Sequence, residues 1–284
     1  MSIERLFVLG GGFMGGGISQ VAATSGFRVT MMDKSGAALQ KSLADMRLSL
    51  SKLSAKQIIT QSPEEIMSRI RTTEDMSEAK DADFVIEAVS EDPELKKKLF
   101  RELDELLPPD VIIATNTSAI PVTTIASATK RPDRCIGTHF FSPVPIMDFV
   151  EIVRGFETSD ETLETTKKLI ERIGKTYSVI NKDVAGFVMN RLFSAATVEA
   201  IRLVEQGVIT PAELDKGMRK SYGWAMGPLE LIDMTGLDVT YSCIKAIYDE
   251  TQDEKFAVPL MLQRLVQSGR LGRKTGKGFY DYSK

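Results

Sequence analysis

Leu6-Phe7-Val8-Leu9-Gly10-Gly11-Gly12-Phe13-Met14-Gly15-Gly16-Gly17 passes from four apolar residues straight into glycine. A short apolar run bounded by glycine reads as a buried strand. The glycines contain G-x-G-x-x-G at Gly10, Gly12 and Gly15. One glycine makes the tight turn, one lets backbone approach a pyrophosphate, and one lets the following helix pack on the strand. A helical stretch follows over 18–25, so its N-terminal N–H groups would point at an anion. Gly10, Gly12, Phe13, Met14 and Gly15 are the expected cofactor contacts. The next strand ends in Asp33, eighteen residues after Gly15, where a carboxylate binds adenosine ribose hydroxyls and repels the extra phosphate of NADP. NAD is therefore the expected cofactor and NADP the less favoured one, with Lys34 the only local feature pulling the other way. The alternative to a dinucleotide site is a flexible structural loop.

Working outward, 284 residues predict about two domains, each able to bury a core. Lys and Arg number 36 against 39 Asp and Glu, which leaves −3 and argues against bulk attraction to nucleic acid or an anionic membrane. There is one histidine, His139, and there are two cysteines, Cys135 and Cys243. Disulfide frameworks, zinc fingers and multi-imidazole metal sites are excluded. No run approaches a membrane span, and the apolar run at 6–9 is too short for a signal-peptide core. The expectation is a soluble cytoplasmic protein with reduced thiols.

Apolar runs at 6–9, 27–32, 84–89, 111–115, 135–140, 149–153 and 176–180 alternate with segments of helical period, the pattern of a mostly parallel α/β sheet. Ser62-Pro63-Glu64-Glu65 and the stretch from Thr158 to Glu161 read as helix N-caps. After about residue 185, Val188, Leu192, Ala195, Val198 and Ile201 recur at helical spacing, and Thr210-Pro211-Ala212-Glu213 starts another helix. The reading is a Rossmann-type dinucleotide-binding α/β domain over 1–184 and an all-α domain over 185–284.

His139 ends a strand, the position beyond which open α/β sheets bind ligands. A core imidazole bonded to backbone is the alternative. A Cys135/His139 nucleophilic pair is excluded, because four residues of strand separate their Cα atoms by roughly 13 Å. Glu151 lies in the apolar run Phe149-Val150-Glu151-Ile152-Val153 and needs a partner if buried. His139, twelve residues upstream across a Pro-rich turn, is the nearest logical one; an exposed edge glutamate is the alternative. Asn116-Thr117-Ser118 supplies small polar groups at another strand end, with helix capping as the alternative for Ser118. Asn190, beside Arg191 near the start of the first helix of the second domain, could close a cleft; its alternative is plain surface exposure.

Taken together, Gly10 to Gly15, Asn116-Thr117-Ser118, His139-Phe140-Phe141-Ser142-Pro143, Gly186-Phe187-Val188-Met189-Asn190-Arg191, Gly227-Pro228-Leu229-Glu230-Leu231 with Asp233, and Arg273-Lys274-Thr275-Gly276-Lys277-Gly278-Phe279-Tyr280 span the whole chain. In this order the chain resembles the short-chain 3-hydroxyacyl-CoA dehydrogenases, especially their bacterial 3-hydroxybutyryl-CoA branch. The resemblance implies His139 as acid/base, Glu151 as its partner, and Ser118 and Asn190 as contacts to the substrate's reacting oxygen or thioester. It places Glu91, Lys96 and Asn116 near the nicotinamide ribose, and Lys52 or Lys56 on coenzyme A, within a local +3 between residues 36 and 60. It further implies an acyl-CoA substrate, (S) stereochemistry and a homodimer formed through the helical domain. The chain departs from the usual pattern at Ser90-Glu91-Asp92-Pro93 and in the extra glycines at 11 and 12, which should only add looseness. Two rival readings are a related dehydrogenase of a free hydroxy acid, such as the gulonate branch, and a non-enzymatic dinucleotide-binding protein.

Overall fold

The computed structural model describes residues 3–283; Met1, Ser2 and Lys284, the outer ends of the two expected domains, lie outside the described residues. The chain divides into two compact units, Met1–Asp183 and Val184–Lys284.

In the first unit the elements run β1 (Arg5–Leu9), α1 (Phe13–Thr24), β2 (Arg28–Met32), α2 (Gly36–Ala55), α3 (Pro63–Met67), β3 (Ile70–Thr73), β4 (Phe84–Glu87), α4 (Pro93–Leu106), β5 (Ile112–Thr115), α5 (Val122–Ala126), β6 (Cys135–Phe140), β7 (Phe149–Arg154), α6 (Asp160–Arg172) and β8 (Thr176–Ile180). The strands form one eight-stranded sheet in the order β3-β2-β1-β4-β5-β6-β7-β8. Pairing is parallel from β3 through to β6, antiparallel between β6 and β7, and parallel again between β7 and β8. Strand order reverses between β1 and β4, and ligands of such sheets bind in the crevice outside the carboxyl ends at that point.

Because both faces are covered, the inner strands are apolar on both sides. Leu6, Val8, Phe84 and Ile86 enter one core, and Phe7, Leu9 and Val85 enter the other with Leu99 and Phe100 of α4. Each fully buried Phe contributes about 1.5–3 kcal/mol. β3 escaped the sequence reading because it is an edge strand with one apolar residue, Ile70, followed by Arg71-Thr72-Thr73. The expected helix at 18–25 in fact begins at Phe13. Gly15, Gly16 and Gly17 lie inside it as packing surface: added Cβ atoms would meet Gly10 O at 1.8 Å, Ser42 Oγ at 2.3 Å and Val144 Cβ at 2.9 Å. Close tertiary packing overrides poor helix propensity there. Ser62 caps α3 by accepting from the Glu65 N–H. At α6 the cap is Ser159, not Thr158, whose hydroxyl is occupied inside by Cys135 O at 2.6 Å.

The second unit contains α7 (Met189–Glu205), α8 (Pro211–Tyr222), α9 (Pro228–Thr235), α10 (Leu237–Thr251) and α11 (Leu260–Gln267), packed around Val198, Ile201, Leu229, Ile232, Leu237, Ile244 and Leu262. Two buried carboxylates clamp this unit. Asp233 accepts the N–H groups of Phe279 (3.0 Å) and Tyr280 (2.9 Å) and the Tyr282 hydroxyl (3.2 Å). Asp215 accepts the N–H groups of Leu229 (3.0 Å) and Glu230 (2.8 Å) and the Tyr280 hydroxyl (2.6 Å). Among the described residues no helix is long and apolar enough to cross a membrane.

Candidate active site

The turn after β1 is built to leave room. Gly10 has φ +112°, and a Cβ there would meet Ala88 O at 2.6 Å, so only glycine holds this turn against the end of β4. Gly12, the N-cap of α1, makes no side-chain cap bond, and an added Cβ would find nothing within 4 Å. The first turn of α1 carries no acidic residue. Orphan N–H groups at such a terminus favour an anion. Asp33 ends this crevice, its Oδ2 accepting the Gly11 N–H at 2.8 Å and its Oδ1 the Ser35 N–H at 2.9 Å. Phe13 is 71% exposed, while Met14 packs against the core. These residues fit a dinucleotide: an open glycine, donors at a helix start, and an oriented carboxylate at the next strand end. At Gly11 an added Cβ would sit 3.1 Å from both Asp33 and Leu39, so a side chain there would press on both neighbours.

At the carboxyl end of β6, His139 stands directly opposite Glu151 of β7. Its Nδ1 lies 2.9 Å from Glu151 Oε2. Glu151 is fully buried and His139 nearly so. With a carboxylate as acceptor, Nδ1 is the donor, which leaves proton exchange with a ligand to Nε2. The Phe141 ring lies 4.5 Å from the imidazole. β7 sits between β6 and β8, so the exposed-edge alternative for Glu151 does not describe it. Cys135, earlier on the same strand, turns its thiol to Thr129 Oγ1 (3.6 Å) and Arg131 O (3.5 Å). Burial pushes that thiol up to about 12, which makes it a poor nucleophile.

The turn after β5 is tied to both neighbours. Asn116 Oδ1 accepts the Phe140 N–H at 2.9 Å, linking this turn to the residue after His139. Glu91 Oε1 accepts the Thr117 hydroxyl at 2.6 Å and the N–H groups of Ser118 (2.8 Å) and Ala119 (3.0 Å). Ser118 caps no helix, since α5 begins at Val122 behind Pro121. Desolvation raises the Glu91 pKa, but Lys96, the Thr117 hydroxyl and the two N–H groups together hold it below the usual carboxylate value. Lys96 is buried, with its ammonium 2.6 Å from Glu87 and 3.4 Å from Glu91. Glu87 went unrecognised in the sequence. The signal was present: Phe84-Val85-Ile86-Glu87 puts a carboxylate in an apolar strand, the argument that singled out Glu151.

Asn190 follows the first residue of α7 and is half-buried. Lys52 and Lys56 are exposed at the C-terminal end of α2. Lys41 is paired with Asp45 at 2.6 Å, so the surplus positive charge of that segment rests on Arg47, Lys52 and Lys56.

A doubly wound sheet with a glycine cradle at its switch point, followed by a helical unit, defines a dinucleotide-binding architecture. Residues 5–184 match the family model "3-hydroxyacyl-CoA dehydrogenase, NAD binding domain", and residues 186–282 match "3-hydroxyacyl-CoA dehydrogenase, C-terminal domain". The chain belongs to the 3-hydroxyacyl-CoA dehydrogenase family, and its activity is that of an NAD-dependent 3-hydroxyacyl-CoA dehydrogenase. It is 42% identical over 275 residues to a protein of Deinococcus radiodurans named "Probable 3-hydroxybutyryl-CoA dehydrogenase", covering 97% of this chain and 99% of that one. It is 40% identical over 281 residues to the 3-hydroxybutyryl-CoA dehydrogenase of Clostridioides difficile, covering 99% and 100%. The crystal structure of (S)-3-hydroxybutyryl-CoA dehydrogenase PaaH1 from Ralstonia eutropha is similar with a TM-score of 0.95 at 39% identity, over all of both chains.

Proposed function

We propose that the protein interconverts (S)-3-hydroxybutyryl-CoA and acetoacetyl-CoA, with His139 as the acid/base. The observation that carries this reading is the buried His139–Glu151 pair, Nδ1 to Oε2 at 2.9 Å, at the carboxyl end of a strand. When bound, NAD supplies the hydride acceptor or donor. In oxidation, His139 Nε2 takes the proton of the 3-hydroxyl group; in reduction, the imidazolium returns it. Glu151 holds the Nδ1–H tautomer and stabilises the positive charge on the ring. Ser118 and Asn190 contact the reacting oxygen or the thioester. Gly10, Gly12, Phe13, Met14, Gly15 and Asp33 hold the adenosine and pyrophosphate half of NAD, and Glu91, Lys96 and Asn116 the nicotinamide ribose half. Lys52 or Lys56 meets the phosphates of coenzyme A, which require cationic partners. The names carried by relatives about 40% identical over the full chain support the four-carbon substrate.

The same reading assigns NAD binding to residues 1–184 and places residues 185–284 with the substrate and in a homodimer, in the cytoplasm. Exposed Leu192, Val208, Tyr222 and Val239 of the helical unit supply apolar surface for association. The deciding experiment assays purified protein with acetoacetyl-CoA, longer 3-ketoacyl-CoAs and a free hydroxy acid such as gulonate, each with NADH or NADPH and their oxidised forms. Highest kcat/KM with acetoacetyl-CoA and NADH is expected. Preference for the free acid, or NADH binding without turnover of any thioester, would reject the reading. Light scattering during gel filtration reads the dimer.

A further inference from the structure

The carboxyl ends of β4 and β5 carry a closed ring of hydrogen bonds and ion pairs. Glu87 Oε1 accepts Lys96 Nζ at 2.6 Å and the Val89 N–H at 2.7 Å. Its Oε2 accepts the Thr115 hydroxyl at 2.7 Å. Thr115 Oγ1 in turn accepts the Thr117 N–H at 3.2 Å, and Thr117 Oγ1 donates to Glu91 Oε1 at 2.6 Å. Glu91 Oε2 lies 3.4 Å from Lys96 Nζ, which returns the ring to its start. Glu87 and Thr115 are fully buried and Lys96 is 1% exposed. Asn116 lies within the segment that the ring spans. Its N–H donates to Glu87 O at 2.7 Å, and its Oδ1 accepts the Phe140 N–H, beside His139.

A buried ion pair gives little net stability compared with apolar residues of the same volume, because desolvation offsets the attraction. What such a ring does supply is geometry. Both oxygens of Glu87 are committed, so its orientation has no freedom, and each partner it fixes leads to the turn that carries Ser118. We propose that Glu87 is a positioning residue for the reaction. It acts through Thr115 and Thr117 on one side and through Lys96 and Glu91 on the other. Together they hold the Asn116-Thr117-Ser118 turn, and through Asn116 they hold the strand end bearing His139. The proposal rests on the reading of Ser118 and His139 as working residues. Glu87 itself touches neither substrate nor proton.

Thr115→Val cuts the ring at one hydroxyl while leaving the Glu87–Lys96 pair in place. It is compared with Thr115→Ser, Glu87→Gln and His139→Gln for kcat and KM with acetoacetyl-CoA, the pH profile of kcat/KM, and the Kd of NADH by fluorescence. A misplacement well under an ångström should lower kcat about tenfold in Thr115→Val. NADH Kd rises by less than kcat falls, because Glu91 and Lys96 of the ring also hold the nicotinamide ribose half; the pH profile stays at the parent's values, and Thr115→Ser recovers most of the rate. Glu87→Gln, which keeps volume and polar atoms, falls in the same direction and is read by the same criteria if Thr115→Val does not fold. A folded variant with the parent's kcat, or one whose NADH Kd rises as much as kcat falls, overturns the positioning role. His139→Gln keeps the two readings apart. If it is inactive while the ring variants match the parent, the positioning role alone fails; if it turns over like the parent, the acid/base reading fails.

Discussion

His139 and Glu151 are register partners across the only antiparallel pair of the sheet among the described residues, and their side chains meet at 2.9 Å in its interior. The β6–β7 reversal is what makes this pairing possible. In a parallel neighbour these two residues, twelve apart in sequence, could not be brought opposite each other without a long crossover. Here residues 141–148 bring the chain straight back.

Removing the imidazole should act on rate and not on cofactor affinity. His139→Gln is expected to lower kcat by about 10²–10⁴ while NADH still binds. Glu151→Gln should lower kcat in the same direction, because an amide does not stabilise the imidazolium as a carboxylate does. Steady-state kinetics beside fluorescence titration with NADH checks both; unchanged kcat in His139→Gln is the contrary result.

Two glycines of the cradle should behave differently. A Cβ at Gly15 would lie 1.8 Å from Gly10 O, so Gly15→Ala should unfold or displace the turn and lower the melting temperature. At Gly12, with nothing within 4 Å and φ of −74°, Gly12→Ala should fold normally. It should weaken NADH binding about tenfold or more, equivalent to about 1.4 kcal/mol, by filling the approach to the pyrophosphate. Thermal melts and NADH titrations of both variants separate the two roles.

Glu91 makes the first unit sensitive to acid. Its folded pKa lies below the ordinary 4.5, so as pH falls the unfolded chain takes up this proton first. The stabilisation is fully present above 4.5 and is lost as pH drops from there through the folded value. Urea midpoints measured across that window should decline less steeply in Glu91→Gln than in the parent.

In the helical unit, Asp233→Ala would leave the half-buried donors of Phe279 and Tyr280 without their acceptor. A loss of about 2–5 kcal/mol is expected, since an unsatisfied buried donor costs about 1–3 kcal/mol. Asp233→Asn should cost less, keeping one carbonyl oxygen. Equilibrium unfolding monitored by the single Trp, Trp224 of the same unit, reads the change.

What the sequence by itself determined is local. The run Leu6 to Gly15 states a strand, a turn and a phosphate cradle in consecutive residues, because turn chemistry and strand period act over a few positions. The change from alternating elements to helical spacing near residue 185 is legible for the same reason. Having a single histidine made His139 the only imidazole available for acid/base chemistry. The tertiary structure decided which carboxylates have partners. Glu87 meets Thr115 across 28 positions, Glu91 meets Ser118 across 27, and Asp233 meets Tyr280 across 47. Nothing in the local pattern of either partner names the other. Sheet order and helix packing bring them together, and for Glu87 and Asp233 burial then makes the pairing obligatory, because an unpartnered carboxylate in the interior is too costly to keep.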